Sequence, residues 1–137
     1  MGKRLLLTSV SAAQLVSAVG GMVLALRRGH SFDVPFMHGR SDRIMRESLL
    51  QGTAMSAPVT MLVAQAAVTL LLARRPSRTA VRAIGILGAV NVPGFLSERL
   101  VRRRLSASGW DPLESSVVIV EVSLAAAMAL LAWRDER

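Results

Sequence analysis

The chain has 137 residues, 52% of them hydrophobic, a mean hydropathy of +0.44, and only three Phe and two Trp as aromatics. That length suits one domain, but a water-soluble domain this apolar would need more large aromatics to build its core. Seventeen basic residues against nine acidic give a net charge of +8, and the lack of cysteine excludes thiol catalysis, dithiol redox chemistry, thiolate metal sites and disulfides.

Four apolar stretches broken by arginine clusters predict an all-α polytopic membrane protein, one compact four-transmembrane-helix bundle over residues 1–137. The first span is expected over 5–26, a run without charge between Lys3/Arg4 and Arg27/Arg28. It exceeds the roughly 7–15 apolar residues of a signal peptide and is expected to be retained. A long first loop, about 27–51, carries both histidines, His30 and His38, with Asp33 between them. Their spacing matches no common metal site, so no metal is expected. Phe32, Val34, Pro35, Phe36 and Met37 form an apolar patch suited to the headgroup zone or to capping the bundle. A cap with His38 and Asp33 facing inward would add acid/base groups that contact substrate. From Ser41, apolar residues alternating with Arg43 and Arg46 predict an interfacial helix leading into the second span.

That second span is expected over 54–73, with Pro58 kinking its first turn. The third, over 80–96, has Arg82 near one end and Pro93 near the other; the fourth runs over 113–133. Trp110 and Trp133 lie 23 residues apart, about 35 Å of helix, as expected of interfacial anchors. Four spans put both termini on one side. The basic residues divide eight against nine across the bilayer, which sets no orientation. Gly20, Gly21, Gly85, Gly88, Ala125 and Ala129 are expected to let the helices pack closely. Sixteen of the basic residues are Arg, a bias that fits a GC-rich bacterial genome and hence a bacterial inner membrane.

Each span carries one hydrogen-bonding side chain near its middle: Gln14, Gln65, Asn91 and Glu121. Facing inward, they would make a polar layer. Glu121 is the costly member, because an acid at a helix centre costs up to about 3 kcal/mol to insert. With no basic residue nearby on its own helix it is expected to stay neutral, and a neutral acid in a dry pocket can donate a proton. Glu121 is therefore expected to be the proton donor, with Asn91 beside it in catalysis and Gln14 and Gln65 orienting substrate oxygens. The alternative is interhelical glue, worth about 0.6–2 kcal/mol per contact. Glu114 is expected to be solvated at the interface, and Glu98 to pair with Arg102 where the third helix continues into water.

The arginines flank apolar spans without recognition motifs or interleaved aromatics, so the expected partner is the lipid bilayer, not nucleic acid. At Asn91-Val92-Pro93, with Trp110 in the following polar loop and an Ala/Leu-rich last span, the second half resembles the anthrone-oxygenase-like family of small four-span membrane proteins. That resemblance implies a bundle holding a lipophilic, often polyketide-derived substrate, with no bound metal or flavin. Where the family has Asn and Arg after the loop tryptophan, this chain has Asp111-Pro112-Leu113-Glu114. The small multidrug-resistance transporters are similar in size and span number, but carry their embedded glutamate in the first span, where this chain has Gln14. The expectation is thus an enzyme performing isomerisation, epoxide opening, cyclisation or cofactor-free oxygenation on a hydrophobic small molecule. The alternatives are a homodimeric proton-coupled exporter and a non-catalytic accessory subunit.

Overall fold

The structure, a computed structural model, describes residues 2–135; Arg137, one of the arginines weighed for orientation, lies outside them. Four helices form a closed ring in which each packs on the next: α1 (Gly2–Arg28), α3 (Val59–Arg74), α4 (Arg78–Ser97) and α6 (Pro112–Asp135). Two short helices, α2 (Ile44–Leu50) and α5 (Arg99–Arg104), lie at the end opposite the termini. Also at that end, Asp33–Val34 (β1) and Met37–His38 (β2) form a small antiparallel hairpin.

Among the described residues, three helices are long and apolar enough to cross a membrane: α1, α4 and α6. Their outward faces expose Val16, Ile86 and Leu130, while Ser11, Gln14, Gln65, Asn91 and Glu121 are buried. This is the reverse of a water-soluble bundle and the arrangement that suits a lipid surrounding.

The second apolar stretch departs from expectation. Its helix begins at Val59, with Pro58 as the extended residue before it, and has 16 residues, about 24 Å. Residues 52–57 are irregular yet buried: Thr53, Ala54, Met55, Ser56 and Ala57 are all inside. Pro58 does not kink a helix here but starts one, a place where its missing N–H costs nothing. Gly52 has φ +85° and turns the chain inward; a Cβ there would also strike the Ser56 carbonyl.

The buried positions of α1 are Leu7, Ser11, Gln14, Ala18, Gly21 and Ala25, spaced alternately by three and four residues, which gives a single seam facing the ring centre. Leu7, Leu72, Ile84 and Met128 close one end of the interior, and Ala25, Met55, Phe95 and Val118 the other. Of the expected small packing residues, Gly21, Gly85 and Gly88 sit at helix contacts, whereas Gly20 faces outward with nothing near it.

Candidate functional site: a cavity between the first loop and α4

A cavity of about 370 Å³ lies between the first loop, the irregular 52–58 segment and the last turns of α4. Phe32, Val34, Met61 and Phe95 make its walls mainly apolar, and Phe36, Leu50 and Val90 on its lip are exposed apolar residues. Its lip therefore faces the same surroundings as the outer faces of the helices. This size and lining are those of sites for small organic molecules.

Asn91 lies on the inner wall, 4% exposed, and its Nδ2 has no hydrogen-bond partner. A buried amide nitrogen left unpaired costs about 1–3 kcal/mol, so its place on a cavity wall calls for an acceptor. Because Nδ2 bonds to nothing, it does not repair the backbone gap that Pro93 opens inside α4.

Glu98 lines the same cavity, and here expectation is corrected. The backbone turns extended at Glu98, ending α4 and starting α5. The side chain points inward, 7% exposed, and its Oε2 accepts the Asp33 N–H at 2.8 Å. Arg102 instead donates to the Leu96 and Ser97 carbonyls. Burial pushes the Glu98 carboxyl above its ordinary value of 4.5, outweighing the Asp33 hydrogen bond. The folded protein thus holds this proton to a higher pH than the unfolded chain. The stability Glu98 contributes is full below 4.5 and is lost as pH rises through the raised value. Glu98→Gln is expected to flatten that part of a stability-against-pH curve, while an unchanged curve would place the titration elsewhere.

The other expected site residues fall in three places. Gln65 Nε2 donates to Gln14 Oε1 at 2.7 Å and to the Ser11 carbonyl at 3.1 Å; Ser11 and Thr69 hydroxyls meet at 2.8 Å. The two glutamines are thereby engaged with each other, and Gln14 Nε2 is buried without a partner among the described residues. Asp33 and His38 pair side chain to side chain across the hairpin, partly exposed, on a separate cavity of about 310 Å³ that His30 also lines. Glu121 is 1% exposed, and its Oε1 and the Met55 carbonyl oxygen both crowd the place a Cβ on Gly21 would take. It is not among the residues lining either of these cavities or the groove of about 300 Å³ between Arg82 and Trp133 on the outer face of α4 and α6. Gln14 and Glu121 are not level: Glu121 meets Gly21, seven residues and about 10 Å along α1 from Gln14.

Glu114, expected to be solvated, is fully buried and is the hub of a charge cluster. Its oxygens meet Arg28 and Arg104 at 2.5 Å each and His30 at 3.0 Å. Asp111 caps α6, accepting from Leu113 N at 3.1 Å and Glu114 N at 2.8 Å. The bond from Glu114 N, helped by Arg28, lowers the Asp111 carboxyl below its usual range. A sequence signal for this exists in Asp111-Pro112-Leu113-Glu114, an N-cap acid, a proline at the first helical position and an acid at the third. No protein-family model, curated protein or solved structure matches the chain.

Proposed function

We propose that the protein is a four-span inner-membrane enzyme that takes a lipophilic small molecule from the bilayer into the 370 Å³ cavity and performs acid/base chemistry on it. The observation that carries this reading is the unpaired Asn91 amide on an otherwise mainly apolar wall. Asn91 donates to an oxygen of the bound molecule, fixing its orientation. Glu98, the carboxyl on the same wall, keeps its proton to higher pH than an ordinary acid and serves as the proton donor in reach. In an isomerisation it gives that proton to a substrate oxygen, and its carboxylate takes one back from a neighbouring carbon. Epoxide opening and cyclisation start from the same protonation. The 16-residue α3 completes the second span together with the buried 52–57 segment, since irregular backbone is tolerated at membrane depth where protein covers it. The likeness of Asn91-Val92-Pro93 to the anthrone-oxygenase-like proteins accords with a cofactor-free reaction on an aromatic polyketide.

A test uses 2-naphthol, a lipophilic probe with one oxygen, and the purified protein in nanodiscs. Saturable binding is expected, weakened about tenfold in Asn91→Leu, the worth of about 1.4 kcal/mol for a hydrogen bond that leaves no buried partner unpaired when formed. Equal affinity in both proteins would reject the assignment. The second reading, a proton-coupled exporter, is favoured by the interrupted second span beside an embedded acid, the construction transporters use for coupling ions. Proton flux driven by substrate in sealed vesicles would select it over the enzyme.

A further inference from the structure

Glu121 sits off the cavity, yet its carboxyl and the segment that builds one side of the cavity both approach Gly21. A Cβ on residue 21 would collide with both Glu121 Oε1 and the Met55 carbonyl oxygen, so these two oxygens converge on Gly21. Oε1 is buried and has no hydrogen-bond partner. Met55 belongs to the irregular 52–57 stretch, and Thr53, Ser56, Ala57 and Pro58 on either side of it line the cavity. The carboxyl and the ligand site thus share one piece of backbone that no helix ladder holds in place.

Among the described residues, the surroundings offer Glu121 no counter-charge. The buried face of α1 presents Gln14, Ala18, Gly21 and Ala25; that of α3, Leu62, Gln65, Thr69 and Leu72; that of α4, Ile84, Gly88, Asn91 and Phe95. Residues 52–57 contain no titratable group. On α6 itself the nearest is Glu114, two turns away and occupied by Arg28, Arg104 and His30. A carboxylate there would face a carbonyl oxygen, two negative ends opposed in a medium that screens poorly. A carboxylic acid can donate to that carbonyl.

We propose that Glu121 is a proton-binding site that controls the 52–58 segment, and through it the cavity. With the proton on Oε1, the hydroxyl donates to Met55 and holds the segment against α1. When the proton leaves to water, the anion repels the carbonyl and the wall of the cavity loosens. Proton binding and ligand binding are then linked, each changing the other's affinity by the same factor. The linkage to a ligand rests on the cavity reading above; the proton-controlled segment does not.

The experiment follows amide hydrogen exchange of the full chain in nanodiscs, without ligand, across a pH series corrected for intrinsic rates. Exchange of 52–58 relative to α2 is expected to rise with pH in the unmodified protein, by up to about tenfold per pH unit, the limit for one linked proton. Glu121→Gln, whose amide can donate to Met55 at any pH, is expected to keep the segment protected throughout. A flat ratio in the unmodified protein overturns the proposal, and so does an identical rise in Glu121→Gln. If that variant fails to fold, the same series in Glu98→Gln decides: a rise that persists there supports the proposal, and a flat ratio there overturns it. Because no ligand is present, failure here leaves 2-naphthol binding through Asn91 untouched, and failure of that binding leaves this result standing.

Discussion

Replacing Glu114 with alanine is expected to cost the folded protein about 3 kcal/mol, measured by SDS titration of the detergent-solubilised protein. The side chain is 1% exposed and bonds to three cationic or basic groups from three parts of the chain: Arg28 at the end of α1, His30 in the first loop and Arg104 on α5. Removing one partner of a buried ion pair costs about 3–5 kcal/mol, chiefly because the remaining charge is stranded. The two arginines differ in how far they can recover. Arg28 is 38% exposed and still reaches Asp111 at 3.3 Å, so water and a second acid compensate it. Arg104 is 19% exposed and keeps only the Gly109 carbonyl at 2.8 Å, so most of the penalty falls there. This places the cost at the low end of the range. Glu114→Gln, which keeps an acceptor and loses the charge, is expected to fall between the alanine variant and the unmodified protein. A loss below about 1 kcal/mol for alanine would show that the cluster behaves as a solvated surface pair.

The difference between what the residues announce and what they do follows from distance along the chain. Three helices were legible because a long apolar run states its own length: 5–26, 80–96 and 113–133 were expected, against Gly2–Arg28, Arg78–Ser97 and Pro112–Asp135. The second stretch misled because residues 54–57 are as apolar as a helix would be there, and hydropathy does not distinguish buried irregular backbone from buried helix. The neighbours of Glu114 in sequence suggest a solvated interface, while its partners Arg28 and His30 are 86 and 84 residues away. A Glu98–Arg102 pair presumes a continuous helix, and the backbone turns extended at Glu98 itself. Gln14 and Gln65 do meet, as their similar depths suggested. The offset that puts Glu121 opposite Gly21 depends on how α6 slides along α1, which no single span encodes.

Small residues also set how α4 meets α6, and Gly88→Ala is expected to destabilise the protein by about 2 kcal/mol. A Cβ at residue 88 would lie 2.5 Å from the Ala125 carbonyl oxygen and 2.9 Å from both the Ala129 nitrogen and the Met128 Cβ. Two of these atoms are helix backbone, so relief requires α4 and α6 to part, not a side chain to turn. Overfilling a packed interior costs typically about 1–3 kcal/mol, and rigid neighbours argue for the upper end. Against this, alanine gains about 1 kcal/mol over glycine inside a helix, which leaves the net figure. Gly20→Ala supplies the comparison, because nothing lies within 4 Å of a Cβ there; the helix term should then act alone, leaving that variant unchanged or slightly more stable. Asn91 follows Gly88 by one turn on the same buried face, so parting α4 from α6 also shifts the wall that carries its amide. Gly88→Ala is accordingly expected to weaken 2-naphthol binding while Gly20→Ala leaves it intact. Equal stability of the two variants in the same SDS titration would mean that α4 and α6 do not approach through Gly88, and the register that brings Asn91 to the cavity would need another cause.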